Sequence, residues 1–181
     1  SINNIKNLGS AILKYPGGNG SNQFFWDGNI PNSILNDTQI TINDLIDGSG
    51  WRISPHDFNQ ILDSTGGTGI IAVNASYARY GTSSNPIQTA ASYAASFVRY
   101  MNQTLGANIK YWEVGNENYG SWQAGHIVNA DTINGTKYGD IFNVFADSMK
   151  AADPSIKIGA VIFPYDGVYN NWSKQVLQKV E

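Results

Sequence analysis

The chain has 181 residues, of which 41% are hydrophobic, 12% aromatic and only 14% charged. That is enough to bury one core and short for two domains. A net charge of −3 gives nucleic acid or an anionic membrane no electrostatic hold, and no apolar run is long enough to span a bilayer. Zero Cys excludes disulfides, thiolate nucleophiles and Cys-based zinc sites; with only two His, neither a metal nor a cofactor is expected.

Asn, Gly, Ser, Tyr and Trp are plentiful, and Lys and Glu are scarce. Neutral amides, hydroxyls and aromatic faces suit neutral polar ligands such as sugars. They suit an ordinary Asn-rich secreted surface equally well. Ser1-Ile2-Asn3-Asn4 does not read as a signal peptide. Low charge and absent Cys point to a secreted or periplasmic location.

In chain order, the first ten residues read as the end of a helix, with Ile5 and Leu8 on its apolar side. Residues 11–15 form a first short apolar run, read as a strand. The stretch 17–50 has weak periodicity and is too long for a plain connection, so a functional loop with local structure is expected. Ser54-Pro55-His56-Asp57 supplies a helix N-cap, a Pro at the first helical position and an acid in the first turn. Phe58, Ile61 and Leu62 share one face of that helix, and Gly66-Gly67 stops it. Residues 69–74 then read as a buried strand.

Asn85-Pro86 opens the next helix, with Ala90, Ala94, Phe97, Val98 and Met101 as its stripe and Gly106 at its end. Residues 110–114 form a third strand. A helix over about 137–152 turns Tyr138, Ile141, Phe142, Phe145 and Met149 inward and stops before Pro154. Residues 157–163 form a fourth strand, and a last helix from near Asn171 carries Trp172, Val176, Leu177 and Val180. Regular strand–helix alternation calls for a parallel sheet covered by helices. Four βα units are half of a (β/α)8 barrel, which needs about 250 residues. The alternatives are an open α/β sheet or a piece of a barrel. Gln178-Lys179-Val180-Glu181 carries no clear helix stop, which favours the piece.

In either architecture functional groups gather at the carboxyl ends of the strands. These ends hold Pro16-Gly17-Gly18-Asn19, Asn74-Ala75-Ser76-Tyr77, Gly115-Asn116-Glu117-Asn118-Tyr119 and Pro164-Tyr165-Asp166. The glycine run at 17–20 lacks the Lys-Ser/Thr ending of a phosphate loop. His56 and His126 read as structural or supporting residues. Glu117 stands out because Trp112, Tyr119 and Trp122 surround it in sequence, the setting in which a carboxyl serves as a general acid. Glycoside hydrolysis pairs two carboxyl groups, about 5–5.5 Å apart for retention and about 6.5–9.5 Å for inversion. Glu113 lies about 13 Å away along an extended strand, so it pairs with Glu117 only if the strand breaks. Asp166, at the neighbouring strand end, is the other candidate.

Leu13-Lys14-Tyr15-Pro16-Gly17-Gly18-Asn19, Trp112-Glu113-Val114-Gly115-Asn116-Glu117, Gly120-Ser121-Trp122-Gln123-Ala124-Gly125-His126 and the turn at Asp153-Pro154-Ser155-Ile156 together resemble the α-L-arabinofuranosidases of glycoside hydrolase family fifty-one. The resemblance runs from about Ile5 to Ile162. It implies a retaining (β/α)8 hydrolase, with this chain holding strands two to five of the catalytic barrel. Residues 1–181 would then be a single incomplete barrel domain, inactive alone. By that resemblance Glu117 is the general acid/base, Asn116 binds the sugar 2-hydroxyl, Asn19 binds furanose hydroxyls, and Trp26 walls the pocket or else packs in the core. The nucleophile, a Glu on the seventh strand, would lie outside this chain. The implied partners are a carbohydrate substrate and the remainder of the barrel, in the same parent chain or an associating one. Lys14 departs from the family's usual Arg and loses its bidentate geometry. The Asn116-Glu117 pair also fits an endoglucanase, xylanase or glucuronidase, and a sugar-binding half-barrel without turnover remains the non-enzymatic alternative.

Overall fold

A computed structural model describes residues 2–7, 11–32, 34, 46–47, 53–165 and 167–180. Leu8 and Asp166 lie outside the described residues. The elements are α1 (Ile2–Lys6), β1 (Ile12–Tyr15), a 3-10 turn (Gly18–Asn22), β2 (Phe24–Phe25), β3 (Ile46–Asp47), α2 (Pro55–Thr65), β4 (Thr68–Val73), α3 (Tyr77–Tyr80), α4 (Pro86–Arg99), β5 (Tyr111–Val114), β6 (Ile127–Val128), β7 (Asp131–Thr132), α5 (Gly135–Ala152), β8 (Lys157–Ala160) and α6 (Trp172–Leu177).

Local chemistry sets the helix limits. Ser54 and Asp57 form a reciprocal capping box before Pro55, and Gly66 ends α2 in the left-handed conformation at φ 68°. Asn85 caps α4 through the Gln88 N–H at 3.3 Å, again just before a Pro. The end of α4 loosens into a π-helical turn (Tyr100–Thr104) before Gly106. Asn134 accepts from the Lys137 N–H at 2.9 Å, so α5 starts at Gly135, slightly before the position that periodicity suggests.

The main sheet is parallel with strand order β1-β4-β5-β8, each strand pairing with its predecessor across a helical connection. This is α/β architecture, a partial (β/α)8 barrel of four units. Side chains alternate across the strands. Tyr15, Ile71, Val73, Trp112 and Val114 face the helices and are buried. Ile12, Lys14, Tyr111 and Glu113 take the other face, where Ile12 is 69% and Tyr111 43% exposed. The helices supply the rest of the core through Phe58, Phe97, Phe145, Met149 and Trp172. Replacing a buried ring such as Phe145 with Ala would cost about 3–5 kcal/mol.

Two details depart from the sequence pattern. β8 ends at Ala160 rather than Phe163. The next backbone N–H, that of Val161, bonds instead to the Tyr138 hydroxyl at 2.8 Å, and that hydroxyl donates to the Val114 carbonyl at 2.7 Å. Tyr138 of α5 thus fastens β5 to β8 where their own ladder stops. On α6, Trp172 and Val176 are buried but Leu177 is 63% exposed.

Candidate active site

β5 stops because Gly115 adopts φ 84°, while its N–H stays tied to the Val73 carbonyl at 2.9 Å. A Cβ at this position would sit 2.1 Å from Asn118 Oδ1, so only glycine fits. Glu117 itself is left-handed, with φ 46°. The turn closes when the Gly120 N–H donates to the Glu117 carbonyl at 2.7 Å. This lifts the Glu117 side chain, which is exposed, out of the strand at its carboxyl end. The Tyr119 hydroxyl donates to Glu117 Oε1 at 3.3 Å, and Trp122 Nε1 donates to Oε2 at 3.2 Å. Burial first, then the charge of Glu117, pushes the Tyr119 hydroxyl up to about 12, so it keeps its proton and its donor role near neutrality.

Behind the carboxylate lies a buried frame of amides. Asn22 Nδ2 donates to the Asn116 carbonyl at 2.6 Å, and Asn118 Nδ2 donates to Asn22 Oδ1 at 3.3 Å and to Ser76 Oγ at 3.2 Å. The Gln123 amide lies 2.7 Å from the side-chain amides of both Asn22 and Asn19. Asn74 Nδ2 donates to the Tyr80 hydroxyl at 2.7 Å and to the Phe24 carbonyl at 3.3 Å. Asn22, Ser76, Asn118 and Gln123 are all at most 3% exposed. Buried polar groups joined in this way hold one geometry, since each lost bond leaves a neighbour unpaired.

The structure brings Asn19, Asn116 and Glu117 to one end of the sheet. Lys14 Nζ reaches the same region, 2.5 Å from Glu113 Oε2 and 3.5 Å from Asn116 Oδ1. The strand does break between Glu113 and Glu117, but Glu113 is held by Lys14 on the open face. Trp26 is placed elsewhere, in the aromatic layer on α4, where its indole stacks on Phe97 at 5.2 Å and on Tyr100 at 4.9 Å. Asn22 and Gln123, which join Asn19 to Asn116, carry no signal in local sequence spacing. Their partners lie about a hundred positions away, Asn22 and Gln123 being separated by 101 residues.

A parallel sheet of successive βα units, with a carboxylate and amides collected at its strand ends, defines the barrel-type arrangement of an α/β enzyme site. The chain belongs to the alpha-L-arabinofuranosidase 1 domain family, whose model matches residues 4–166. It is 26% identical over 189 residues to the exo-alpha-(1->6)-L-arabinofuranosidase of Bifidobacterium longum, covering 97% of this chain and 34% of that protein. It is 28% identical over 166 residues to the intracellular exo-alpha-(1->5)-L-arabinofuranosidase of Acetivibrio thermocellus, covering 86% of this chain and 30% of that protein. The chain therefore spans about a third of the length of the curated relatives it matches. Its fold is similar to that of an alpha-L-arabinofuranosidase from Thermotoga maritima, with TM-score 0.66, 23% identity, and coverage of 99% of this chain and 36% of that one. A family 51 alpha-L-arabinofuranosidase from Bifidobacterium longum gives TM-score 0.65 at 24% identity, covering 98% and 35%.

Proposed function

We propose that this chain is the acid/base part of a retaining hydrolase of α-L-arabinofuranosyl linkages. The observation that carries the reading is Glu117, lifted from the end of β5 by Gly115 and hydrogen-bonded at both carboxyl oxygens by aromatic donors. In the first step Glu117 gives its proton to the departing glycosidic oxygen as a nucleophilic carboxylate attacks the anomeric carbon. In the second it takes a proton from the water that releases the sugar. Asn116 and Asn19, fixed through Asn22 and Gln123, orient the sugar hydroxyls. The family match and the arabinofuranosidase activities of the relatives support the substrate class. Residues 1–181 then act as one incomplete (β/α)8 unit. The nucleophile comes from the remainder of the barrel, in a longer chain or an associating one.

The test is hydrolysis of an aryl α-L-arabinofuranoside by this chain alone and by the same sequence within a complete barrel, each beside Glu117→Gln. The complete barrel should turn over substrate and lose at least about 100-fold on substitution, while this chain alone stays silent. A Glu117→Gln barrel with full activity would overturn the acid/base assignment. Turnover by this chain alone would place a second working carboxylate within it.

A further inference from the structure

We propose that Tyr169, on the loop after β8, is a positioning residue for the Glu117 carboxylate on the loop after β5, acting through Tyr119. The inference rests on the acid/base reading of Glu117 above and adds what holds that group in place.

Glu117 is exposed, and a free glutamate side chain samples many rotamers. An acid/base must instead keep one geometry toward the reacting oxygen. Its two donors are not equally fixed. Trp122, which reaches Oε2, is itself 51% exposed and lies flat against Gly120, where a Cβ would come within 2.5 Å of its ring. Tyr119, which reaches Oε1, is only 8% exposed. The anchored donor is therefore Tyr119.

The anchor comes from the next βα unit. Phe163 and Trp172 meet the Tyr119 ring edge-to-face at 5.2 Å and 5.9 Å. Tyr169 lies on its face, with centroids 4.6 Å apart and planes 25° apart. These are the offset and edge geometries that aromatic rings prefer. Hydrogen bonds close the base of the loop. Trp172 Nε1 donates to the Val161 carbonyl at 2.9 Å. The Ser173 hydroxyl accepts from Phe163 N at 2.7 Å and donates to the Phe163 carbonyl at 2.6 Å. Phe163 and Trp172 are thus tied to the backbone frame. Tyr169, 36% exposed, stands between Tyr119 and solvent on its own side. Removing its ring frees the Tyr119 ring to tilt, and the hydroxyl then leaves Oε1. The base of the loop keeps its bonds.

Two measurements test this. In the isotopically labelled chain, three-bond carbon couplings read the Glu117 χ1 rotamer. One rotamer is expected in the parent and in Tyr169→Phe, which keeps the ring, and averaged rotamers in Tyr169→Ala and Tyr119→Phe. In the complete barrel, Tyr169→Ala should lower kcat about tenfold to 100-fold with KM within about twofold, and Tyr169→Phe should restore it. Tyr119→Phe removes only the hydroxyl from a packed ring, so it tests the same link even if Tyr169→Ala fails to fold. A single Glu117 rotamer in every variant, unchanged kcat in Tyr119→Phe, or a raised KM at constant kcat in Tyr169→Ala would each overturn the proposal. The couplings need no turnover. Full activity of Glu117→Gln would overturn the acid/base reading and leave the rotamer result standing.

Discussion

Lys14 on β1 reaches over the intervening strand β4 to hold Glu113 on β5, with Nζ 2.5 Å from Oε2. Strands in a sheet lie about 4.8 Å apart, so the pair bridges roughly twice that distance along the open face. Both side chains keep about a third of their surface exposed, 36% and 35%. Water screens a pair of this kind, which limits what it adds to stability. Lys14→Met should therefore change the unfolding free energy by less than about 1 kcal/mol, measured by urea denaturation. A loss of several kcal/mol would mean that the pair is much drier than its exposure indicates.

The Tyr138 hydroxyl is committed twice, accepting from Val161 N and donating to the Val114 carbonyl. The residue is 0% exposed, so no water replaces either bond. Tyr138→Phe keeps the ring and leaves two backbone groups buried without partners. The expected cost is about 1–3 kcal/mol, read as a lower urea midpoint with an unchanged slope. An unaltered midpoint would show that the two strand ends satisfy each other directly.

The alkaline limb of stability should be steep. Burial raises the hydroxyls of Tyr15, Tyr80, Tyr93 and Tyr138 above the usual 10.0, and burial with the charge of Glu117 pushes Tyr119 up to about 12. Above pH 10.0 the unfolded chain loses these protons while the folded chain keeps them. The folded state then binds more protons, so stability falls as pH rises through and beyond that value. Urea midpoints taken on either side of pH 10.0 test this, and a flat profile would contradict it.

Much of the frame was legible in the sequence because its signals are local. Ser54-Pro55 and Asn85-Pro86 open helices, Gly66 ends one, and the four short apolar runs form consecutive parallel strands. The break that presents Glu117 was also accessible, since Gly115 follows a strand. What escaped is long-range. Leu177 fits a helical stripe, yet it stays 63% exposed while Trp172 and Val176 on the same helix are buried. β8 ends early because a tyrosine on a distant helix takes over its next N–H. The link from Asn19 through Gln123 and Asn22 to Asn116 exists only once the ends of β1 and β5 are brought together.

Tyr169, Asn170 and Asn171 follow one another with φ of 51°, 56° and 59°, a left-handed run without glycine. Each such residue costs roughly 1–2 kcal/mol locally. The run is held from outside, by Tyr119 stacked on Tyr169 and by Gln175 Nε2 donating to the Asn170 carbonyl at 2.8 Å. The loop after β8 thus inherits its curvature from the body of the protein instead of from its own residues. Glycine could replace either asparagine with little backbone penalty, whereas a β-branched residue would push the loop toward the opposite hand and carry Tyr169 away from Tyr119.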